Sequence, residues 1–549
     1  MAAEPAAGSV RDFARCVAAL TPLARGANVA ATDAVVFESR GVALVVGDDA
    51  GVAAHAAALL PALKVVLCAP GALDAADLPS GVIAVGGRIV GVSGRLGAFT
   101  ACAATGSTES ADIGGFSPNP DRSFDLVLDL SRSPHLKHEI PPLGYFAPGP
   151  DPAAIAAAIT TMRALVGRFA KPRYFDYAPA LCTHGAQGKA GCTRCLDVCA
   201  AAAIRSLGDI VAVDPYLCQG CASCSLACPT GALSYRQPTR ADLVSALAQT
   251  IAAAHGAGFA RPILVVHTSR MAGAVRAAGL PLMARALEVP ALPAFGEELW
   301  LAAIAQGAGA VVLVQDDDEL PVTRTLIEAR VRVAGTLTAA VGAASARITL
   351  TSAAELNAAV TAAVAAATGA HSRTTAPNAK AAKRPLLMAA LDTLAAGAVA
   401  GPVALPAGAP FGTVVVDREL CTLCHACVNL CPTSALIAGN GAAPSLSLIE
   451  ANCVQCGICA NGCPEAAIVL EPRFVPDARA RNGARRLNED ELARCASCGT
   501  PFIGQRMLAA SLAKVRDFPG LANTGGIERL RMCPACRQRE AMDPGGRGA

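Results

Sequence analysis

Residues 421–432 read CTLCHACVNLCP, and residues 453–464 read CVQCGICANGCP. Both stretches follow the pattern Cys-x2-Cys-x2-Cys-x3-Cys-Pro, and residues 218–229, CQGCASCSLACP, follow it as well. Two-residue gaps let one tight loop present three thiolates to one face of a metal centre, whereas the fourth cysteine begins a short helix and points the other way. The spacing therefore predicts metal-binding loops at all three places.

This spacing is typical of [4Fe–4S] clusters that occur in pairs, in which the fourth cysteine of each run ligates the opposite cluster. A looser run, Cys192, Cys195 and Cys199, lies before residues 218–229, and Cys182 lies ten positions before Cys192. If the last cysteine of each run ligates the opposite cluster of its pair, which we call crossed ligation, the chain binds four clusters, each with its own cysteines. We number these set 1 (Cys199, Cys218, Cys221, Cys224), set 2 (Cys182, Cys192, Cys195, Cys228), set 3 (Cys431, Cys453, Cys456, Cys459) and set 4 (Cys421, Cys424, Cys427, Cys463).

Cys182 is the least constrained of these ligands. The loop from Cys182 to Cys192, CTHGAQGKAGC, is rich in glycine and could fold back to complete set 2. The alternative is a free thiol beside a three-iron cluster or no cluster. His184 is another candidate ligand, but we expect it to be an exposed loop histidine.

A different pattern lies near the C-terminus, where Cys495 and Cys498 form one Cys-x2-Cys pair and Cys533 and Cys536 form another. Two such pairs suit a tetrahedral thiolate site. The 34 residues between the pairs exceed the usual spacing of a zinc finger and contain a predicted helix at residues 503–517. We predict one zinc ion here, with rubredoxin-like iron and unpaired thiols as alternatives.

The overall composition agrees with a metal-binding protein of a reducing compartment. The 23 cysteines in 549 residues are mostly clustered, and the N-terminus lacks the apolar segment of an export signal. Such a pattern favours metal binding over disulfides, so we expect a cytoplasmic protein. The remaining cysteines, Cys16, Cys68 and Cys102, are isolated, and we expect each to be an ordinary buried thiol.

Charge and hydropathy exclude two further classes. The 46 Lys and Arg residues nearly balance the 43 Asp and Glu residues, and no basic block is present. Nucleic-acid binding is therefore not expected. The longest uncharged stretch, residues 393–416, is interrupted by prolines and glycines, so no membrane span is expected.

The chain alternates between α/β regions and cysteine-rich regions. In one α/β region, Thr239 and Asp242 are placed to cap a helix that Gly256 ends. The fold class predicted is α/β plus α+β, with two cluster modules alternating with α/β domains and a small zinc-ribbon-like knuckle domain. The predicted boundaries are 1–170 (α/β), 171–237 (module 1), 238–380 (α/β), 381–410 (linker), 411–472 (module 2) and 485–540 (four-cysteine knuckle).

Three resemblances to known families add to these inferences. The two modules resemble bacterial two-cluster ferredoxins. Residues 262–314 are similar to the delta-subunit domain of methyl-viologen-reducing hydrogenases, which serves heterodisulfide reductases. That family places [2Fe–2S] ligands after its first strand, whereas this chain has His267, Thr268 and Ser269 there, so this cluster is not carried over. Residues 123–149 (SFDLVLDLSRSPHLKHEIPPLGYFAPG) and 191–199 (GCTRCLDVC) resemble long ferredoxin-type proteins associated with bacterial molybdenum formate dehydrogenases.

These observations favour a non-catalytic iron–sulfur protein, or polyferredoxin, that relays single electrons through up to four clusters. The last resemblance implies a redox partner, either a dehydrogenase or another carrier. One alternative is a flavin- or NAD-linked catalytic subunit, but the chain has no G-x-G-x-x-G after a predicted strand. Another alternative is a maturation factor for a molybdenum enzyme. No catalytic residue is predicted.

Overall fold

The protein has a mixed α/β architecture with several small sheets. The computed structural model describes residues 20–23, 34–48, 52–71, 78–104, 110–367, 378, 381–395, 401–439, 443–516 and 526–542. Cys16 lies outside these residues, as does most of the low-complexity segment at 367–385. Within the described ranges, no helix combines the length and the apolar character that a membrane span requires.

The N-terminal region is built on a parallel five-stranded sheet. Its elements are β1 (Thr21–Leu23), β2 (Ala34–Ser39), β3 (Val42–Val46), α1 (Ala53–Leu59), β4 (Lys64–Ala69), β5 (Val82–Gly86), β6 (Arg88–Ser93), β7 (Thr100–Ala104), β8 (Ser110–Asp112), β9 (Leu126–Asp129), β10 (Tyr145–Phe146), α2 (Pro152–Ala164) and β11 (Gly167–Pro172). The parallel sheet has the order β10-β9-β3-β4-β5. Every residue of β3 is buried, as expected of a strand covered on both faces. Helices α1 and α2 pack on one face, and the antiparallel sheet β6-β7-β8 packs on the other.

A buried hydrogen-bond network lies where β9 ends. The carboxylate of Asp129 accepts hydrogen bonds from the hydroxyl of Tyr145 and, at 2.9 Å, from Nδ1 of His135, whose Nε2 faces the carbonyl of Ile89 at 3.1 Å. Burial alone would raise the pKa of Asp129, but hydrogen bonds from His135 and Tyr145 outweigh it and lower the pKa to about 2. The hydrogen bond to Asp129 raises the pKa of His135 above its usual value. Both shifts favour the pairing of imidazolium with carboxylate.

We expect a His135→Gln variant to lose more stability at low pH than at high pH. The charged pair stabilises the fold fully below the ordinary histidine pKa of about 6.5, and its contribution disappears as the pH rises through the raised pKa of the folded state. A hydrogen bond to a charged group contributes about 2 kcal/mol. Hydrogen exchange of the β9 amides, measured in urea at about pH 5.5 and about pH 9, tests this difference. His138→Gln, at an exposed neighbour, is the control, and an equal loss at both pH values would contradict the prediction.

The middle region contains a parallel four-stranded sheet. Its elements are α5 (Arg240–Gly256), β18 (Ile263–Thr268), α6 (Ala272–Ala277), β19 (Ala284–Val289), α7 (Glu297–Ala305), β20 (Ala310–Val314), α8 (Pro321–Ala340), β21 (Arg347–Thr351) and α9 (Leu356–Ala366). The strand order is β19-β18-β20-β21. The predicted capping box at Thr239 and Asp242 is present, and α5 ends at Gly256. Every residue of α7 is buried, which places this apolar helix at the centre of the largest core.

The range 381–410 differs from the linker expected there. It contains helix α10 (Lys383–Leu394) and strand β22 (Val403–Ala404). Leu386, Leu387 and Leu391 join the core around α7. The apolar side chains recur at helical spacing on one face, and this periodicity outweighs the low complexity of the preceding residues. Helix α10 therefore packs as part of the protein core.

The two cysteine-rich modules have the same plan, in which a β-ribbon frames loops that each end in a short helix. Module 1 contains β12 (Phe175–Tyr177), β13 (Gly185–Ala186), β14 (Lys189–Ala190), α3 (Arg194–Asp197), β15 (Ile204–Leu207), β16 (Ile210–Val213), α4 (Ser223–Ala227) and β17 (Leu233–Tyr235). Module 2 contains β23 (Gly412–Val416), α11 (Ala426–Asn429), β24 (Leu436–Ala438), β25 (Ser445–Ile449), α12 (Ile458–Asn461) and β26 (Ile468–Phe474). Strands β12 and β17 pair antiparallel, as do β23 and β26. The first and last strands of each module thus bring its two ends together.

The C-terminal region continues module 2 before it forms a separate unit. Its elements are α13 (Ala478–Asn482), β27 (Ala484–Glu489), β28 (Leu492–Arg494), β29 (Pro501–Gly504), α14 (Gln505–Val515), α15 (Gly526–Leu530) and α16 (Pro534–Met542). Strand β27 pairs with β25, so the sheet of module 2 extends beyond the predicted boundary at residue 472. The hairpin of β28 and β29 then carries the first Cys-x2-Cys pair, and α16 carries the second.

Candidate metal centres

The cysteine loops require left-handed backbone conformations at corresponding positions. In each complete run, the residues on both sides of the second cysteine have a positive φ angle. They are Gly220 (77°) and Ala222 (63°), Leu423 (56°) and His425 (58°), and Gln455 (55°) and Gly457 (87°). Four of these six residues are not glycine, and such conformations persist only where the surroundings enforce them, as they often do at binding sites. The repeated geometry turns three cysteine side chains towards one centre.

Sets 2 and 4 each enclose a cavity. The cysteines of set 4 line a partly open space of about 340 Å³, into which Cys463 comes from the second run. Those of set 2 line a space of about 330 Å³, into which Cys228 comes from the following run. Cys182 also lines the set 2 cavity. The structure therefore brings each of these fourth cysteines to the opposite loop, and it brings Cys182 to its predicted set.

Electrostatic interactions between thiols show the same grouping in set 4 and in set 3. Burial raises the pKa of Cys427 to about 12, and the charges of Cys421, Cys424 and Cys463 add to the effect. Burial raises the pKa of Cys459 as well, and the charges of Cys456, Cys453 and Cys431 add to it. Sulfur atoms of each crossed set thus lie within electrostatic reach of one another.

Module 1 repeats this arrangement. Burial raises the pKa of Cys195 to about 12, assisted by the charges of Cys192, Cys228 and Cys182. Burial raises the pKa of Cys224 well above its usual value, assisted by Cys221, Cys218 and Cys199. Protein surroundings that disfavour isolated thiolates this strongly favour thiolates that share a bound cation.

Backbone N–H groups point at the last cysteine of three runs. The amide of Ala203 donates to Sγ of Cys199 at 3.2 Å, and the amide of Ala435 donates to Sγ of Cys431 at 3.2 Å. The amide of Ala467 likewise donates to Sγ of Cys463 at 3.3 Å. Hydrogen bonds of this type stabilise negative charge on sulfur and set the reduction potential of iron–sulfur clusters.

Buried and half-buried cations lie beside the thiolate sets. Nζ of Lys171 donates to the carbonyl oxygen of Cys218 at 2.7 Å, and Nζ of Lys383 donates to the carbonyl oxygen of Leu226, beside Cys228, at 2.9 Å. The guanidinium of Arg384 donates to the carbonyl oxygen of Cys453 at 2.7 Å. Lys383 also lies 3.9 Å from the buried carboxylate of Glu298, which compensates part of this charge. Four soft thiolates with N–H donors and nearby cations fit an anionic [4Fe–4S] cluster.

The C-terminal cysteines converge more tightly. Four sulfur atoms lie within 4.8 Å of one another, those of Cys495, Cys498, Cys533 and Cys536. The sulfur atoms of Cys498 and Cys533 are 3.8 Å apart. A tetrahedral site with metal–sulfur bonds of about 2.3 Å places its sulfur atoms about 3.8 Å apart. Desolvation opposes ionisation of Cys495, but hydrogen bonds from the backbone of Cys533, Cys498 and Ser497 lower its pKa to about 6. The four thiols can therefore hold one tetrahedral ion.

Two expectations about single residues were wrong. His184 is buried, with Nδ1 2.8 Å from the carbonyl oxygen of Cys192 and Nε2 2.7 Å from Oγ of Ser206. Its two ring nitrogens position the loop, because both already have protein partners. Cys102 is exposed, since its strand β7 turns this side chain to solvent, whereas Cys68 is buried as expected.

Sequence reasoning did not identify the basic residues around the sets. Arg194 lies inside a cysteine loop, and Lys383 and Arg384 form an isolated basic pair at the start of α10. In the sequence, the indication of their role was a basic pair at the start of an apolar helix. Basic residues are so common on surfaces that this indication gains meaning only from the fold, in which Lys383 is buried and Arg384 is half-buried.

Comparison with known families agrees with this geometry. The family model described as a 4Fe-4S dicluster domain matches residues 420–469, and the model described as a 4Fe-4S binding domain matches residues 211–234. No curated protein matches the chain. The matched segments contain the three complete cysteine runs and leave the looser run of module 1 outside. The chain thus contains two 4Fe–4S ferredoxin-type domains, and these support an iron–sulfur electron-transfer role.

Proposed function

We propose that the chain is an electron-transfer subunit that relays single electrons through four [4Fe–4S] clusters to or from a redox protein partner. The crossed grouping of cysteines in both modules supports this proposal, because the cysteines of sets 2 and 4 each line a common cavity, and those of sets 1 and 3 lie within electrostatic reach of one another. When bound, each cluster accepts and releases one electron with little change in geometry.

The residues of the chain hold the sets rigid and adjust their electrostatics. The N–H groups of Ala203, Ala435 and Ala467 donate to cysteine sulfur, and the side-chain amide of Gln455 donates to Sγ of Cys453 at 3.3 Å. Donors and cations near sulfur favour the more negative, reduced state. Of the sixteen set cysteines, all of which the structure describes, Cys424 is exposed. Set 4 is therefore the most accessible to a partner.

Sequence resemblance supports the finer parts of the proposal. The likeness of residues 123–149 to ferredoxin-type proteins of molybdenum formate dehydrogenases supports a formate dehydrogenase as the partner. The likeness of residues 262–314 to a hydrogenase delta-subunit domain supports a docking role for the middle region. A reducing, cytoplasmic location suits so many thiolates. We also assign zinc to the C-terminal four-cysteine site, where it would have a structural role.

Anaerobic metal analysis tests the proposal directly. We expect about sixteen irons, about sixteen sulfides and about one zinc per chain, together with EPR signals from four clusters that are reduced and reoxidised reversibly. A value near eight irons would remove one module from the proposal. A folded, colourless and iron-poor protein from an oxygen-free preparation would overturn it. Clusters that leave the protein on contact with an apoenzyme, and do not cycle, would favour a maturation factor instead.

A further inference from the structure

The two modules, which are separated by the middle region in the sequence, contact each other through their cysteine loops. Nδ2 of Asn461 donates to the carbonyl oxygen of Ala190 at 2.9 Å. Gly191 lies so close to Ile458 that a Cβ atom at position 191 would be 2.3 Å from Cγ1 of that side chain. The loop that precedes Cys192 of set 2 therefore packs against α12, which carries Cys459 of set 3. No residue larger than glycine fits at position 191 without moving Ile458.

Arg194 lies across this contact. It stands between Cys192 and Cys195 in sequence, yet its guanidinium donates to the carbonyl oxygens of Val454 at 3.0 Å and Gln455 at 3.4 Å in the loop of set 3. Val454 and Gln455 stand between Cys453 and Cys456 of set 3. One guanidinium thus links the cysteine loop of set 2 to the cysteine loop of set 3.

The first turn of α10 forms hydrogen bonds to both modules. Nζ of Lys383 donates to the carbonyl oxygens of Ser225 and Leu226 in module 1, at 2.8 and 2.9 Å. The next residue, Arg384, donates to the carbonyl oxygen of Ala451 in module 2 at 2.8 Å. Two consecutive side chains therefore bind the two modules. These hydrogen bonds restrict any change in the distance between set 2 and set 3.

Packing places the four sets in a linear order. Helix α3 packs against α4 in module 1, and α11 packs against α12 in module 2, so the two sets of each module are neighbours. The modules meet where the loop before Cys192 of set 2 packs against α12, which carries Cys459 of set 3. The order is therefore 1-2-3-4, with sets 2 and 3 at the contact between modules.

We propose that sets 2 and 3 form a coupled pair across the contact between the modules, so that all four sets make one path. Arg194 is the positioning residue of this pair. The inference rests on the proposed loading of four clusters. Reduction adds negative charge to a cluster, and a nearby cation stabilises that charge. The guanidinium therefore raises the reduction potentials at both inner sets, and its hydrogen bonds hold the two loops together.

A redox titration followed by EPR tests the role of Arg194. In the Arg194→Gln variant, we expect two of the four midpoint potentials to shift to lower values and the other two to remain unchanged. We also expect the spin–spin broadening between two reduced clusters of the wild type to change. Arg205→Gln is the matched control, because Arg205 lies on β15 of the same module and is exposed. It should leave all four potentials and the broadening unchanged.

Further variants separate charge from position. Arg194→Lys keeps the charge, so it should retain the potentials more closely than Arg194→Gln. Asn461→Ala removes a hydrogen bond of the contact without removing a charge, so it should alter the broadening and leave the potentials in place. This second variant also decides the inference if Arg194→Gln does not accumulate as folded protein. Unchanged potentials, a uniform shift of all four, or unchanged broadening in Asn461→Ala would overturn the coupled pair. Wild-type iron content tests the cluster loading separately.

Discussion

We expect a Cys463→Ala variant to lose the proposed cluster of set 4 and to keep the proposed cluster of set 3, although Cys463 belongs to the same sequence run as three ligands of set 3. Cys463 lines the cavity of set 4, together with Cys421, Cys424 and Cys427. A cubane that loses one of four thiolates is lost or degraded to a three-iron form. The expected loss is therefore up to about four irons per chain of about sixteen.

EPR of the reduced variant identifies which cluster is missing. The matched variant is Cys431→Ala, which should remove the proposed cluster of set 3. The charge of Cys431 helps to raise the pKa of the three other thiols of this set, after burial, so its sulfur atom lies near theirs. The two variants should therefore lose different EPR signals, each from the run that does not contain the substitution. If Cys463→Ala removed the cluster of Cys453, Cys456 and Cys459 instead, crossed ligation would be wrong.

The second large effect is expected at the C-terminal four-cysteine site, where a Cys533→Ala variant should unfold residues 492–516 and 526–542 and leave the iron content unchanged. The buried core of this region consists of Cys495, Cys533 and Cys536, with Phe502 and Met532 packed against them. Helix α14 has no buried residue. So small an apolar core cannot compensate for the entropy of ordering the chain, and metal binding must supply the difference.

The expected magnitude is that of a structural zinc site, about 10–16 kcal/mol of binding free energy that is also folding free energy. Limited proteolysis and hydrogen exchange over residues 492–542 measure the effect, and metal analysis should show the loss of about one zinc. Cys102→Ala, which changes an exposed thiol that belongs to none of the sets, is the control. Full protection of the region in Cys533→Ala would show that the fold does not depend on the metal. One extra iron in place of zinc would identify a rubredoxin-like centre.

Much of the fold could be predicted where the pattern is local. Strands such as Val42–Val46 and Ala310–Val314 are continuous apolar runs, and both form buried parallel strands. The capping box at Thr239 was also predictable, because it depends on residues within one helical turn. The antiparallel sheet β6-β7-β8 was not predicted. Its strand β6 alternates buried and exposed residues irregularly, and a bulge interrupts its pairing with β7.

Cysteine spacing by itself determined where the metal-binding loops lie, because two-residue gaps and the following helix confine each loop within twelve residues. The tertiary structure alone decided that the two modules face each other. Arg194 and Val454 are 260 positions apart, and Lys383 reaches a carbonyl 157 positions away. Contacts over such distances depend on how the intervening α/β core packs, and short-range spacing does not encode that packing.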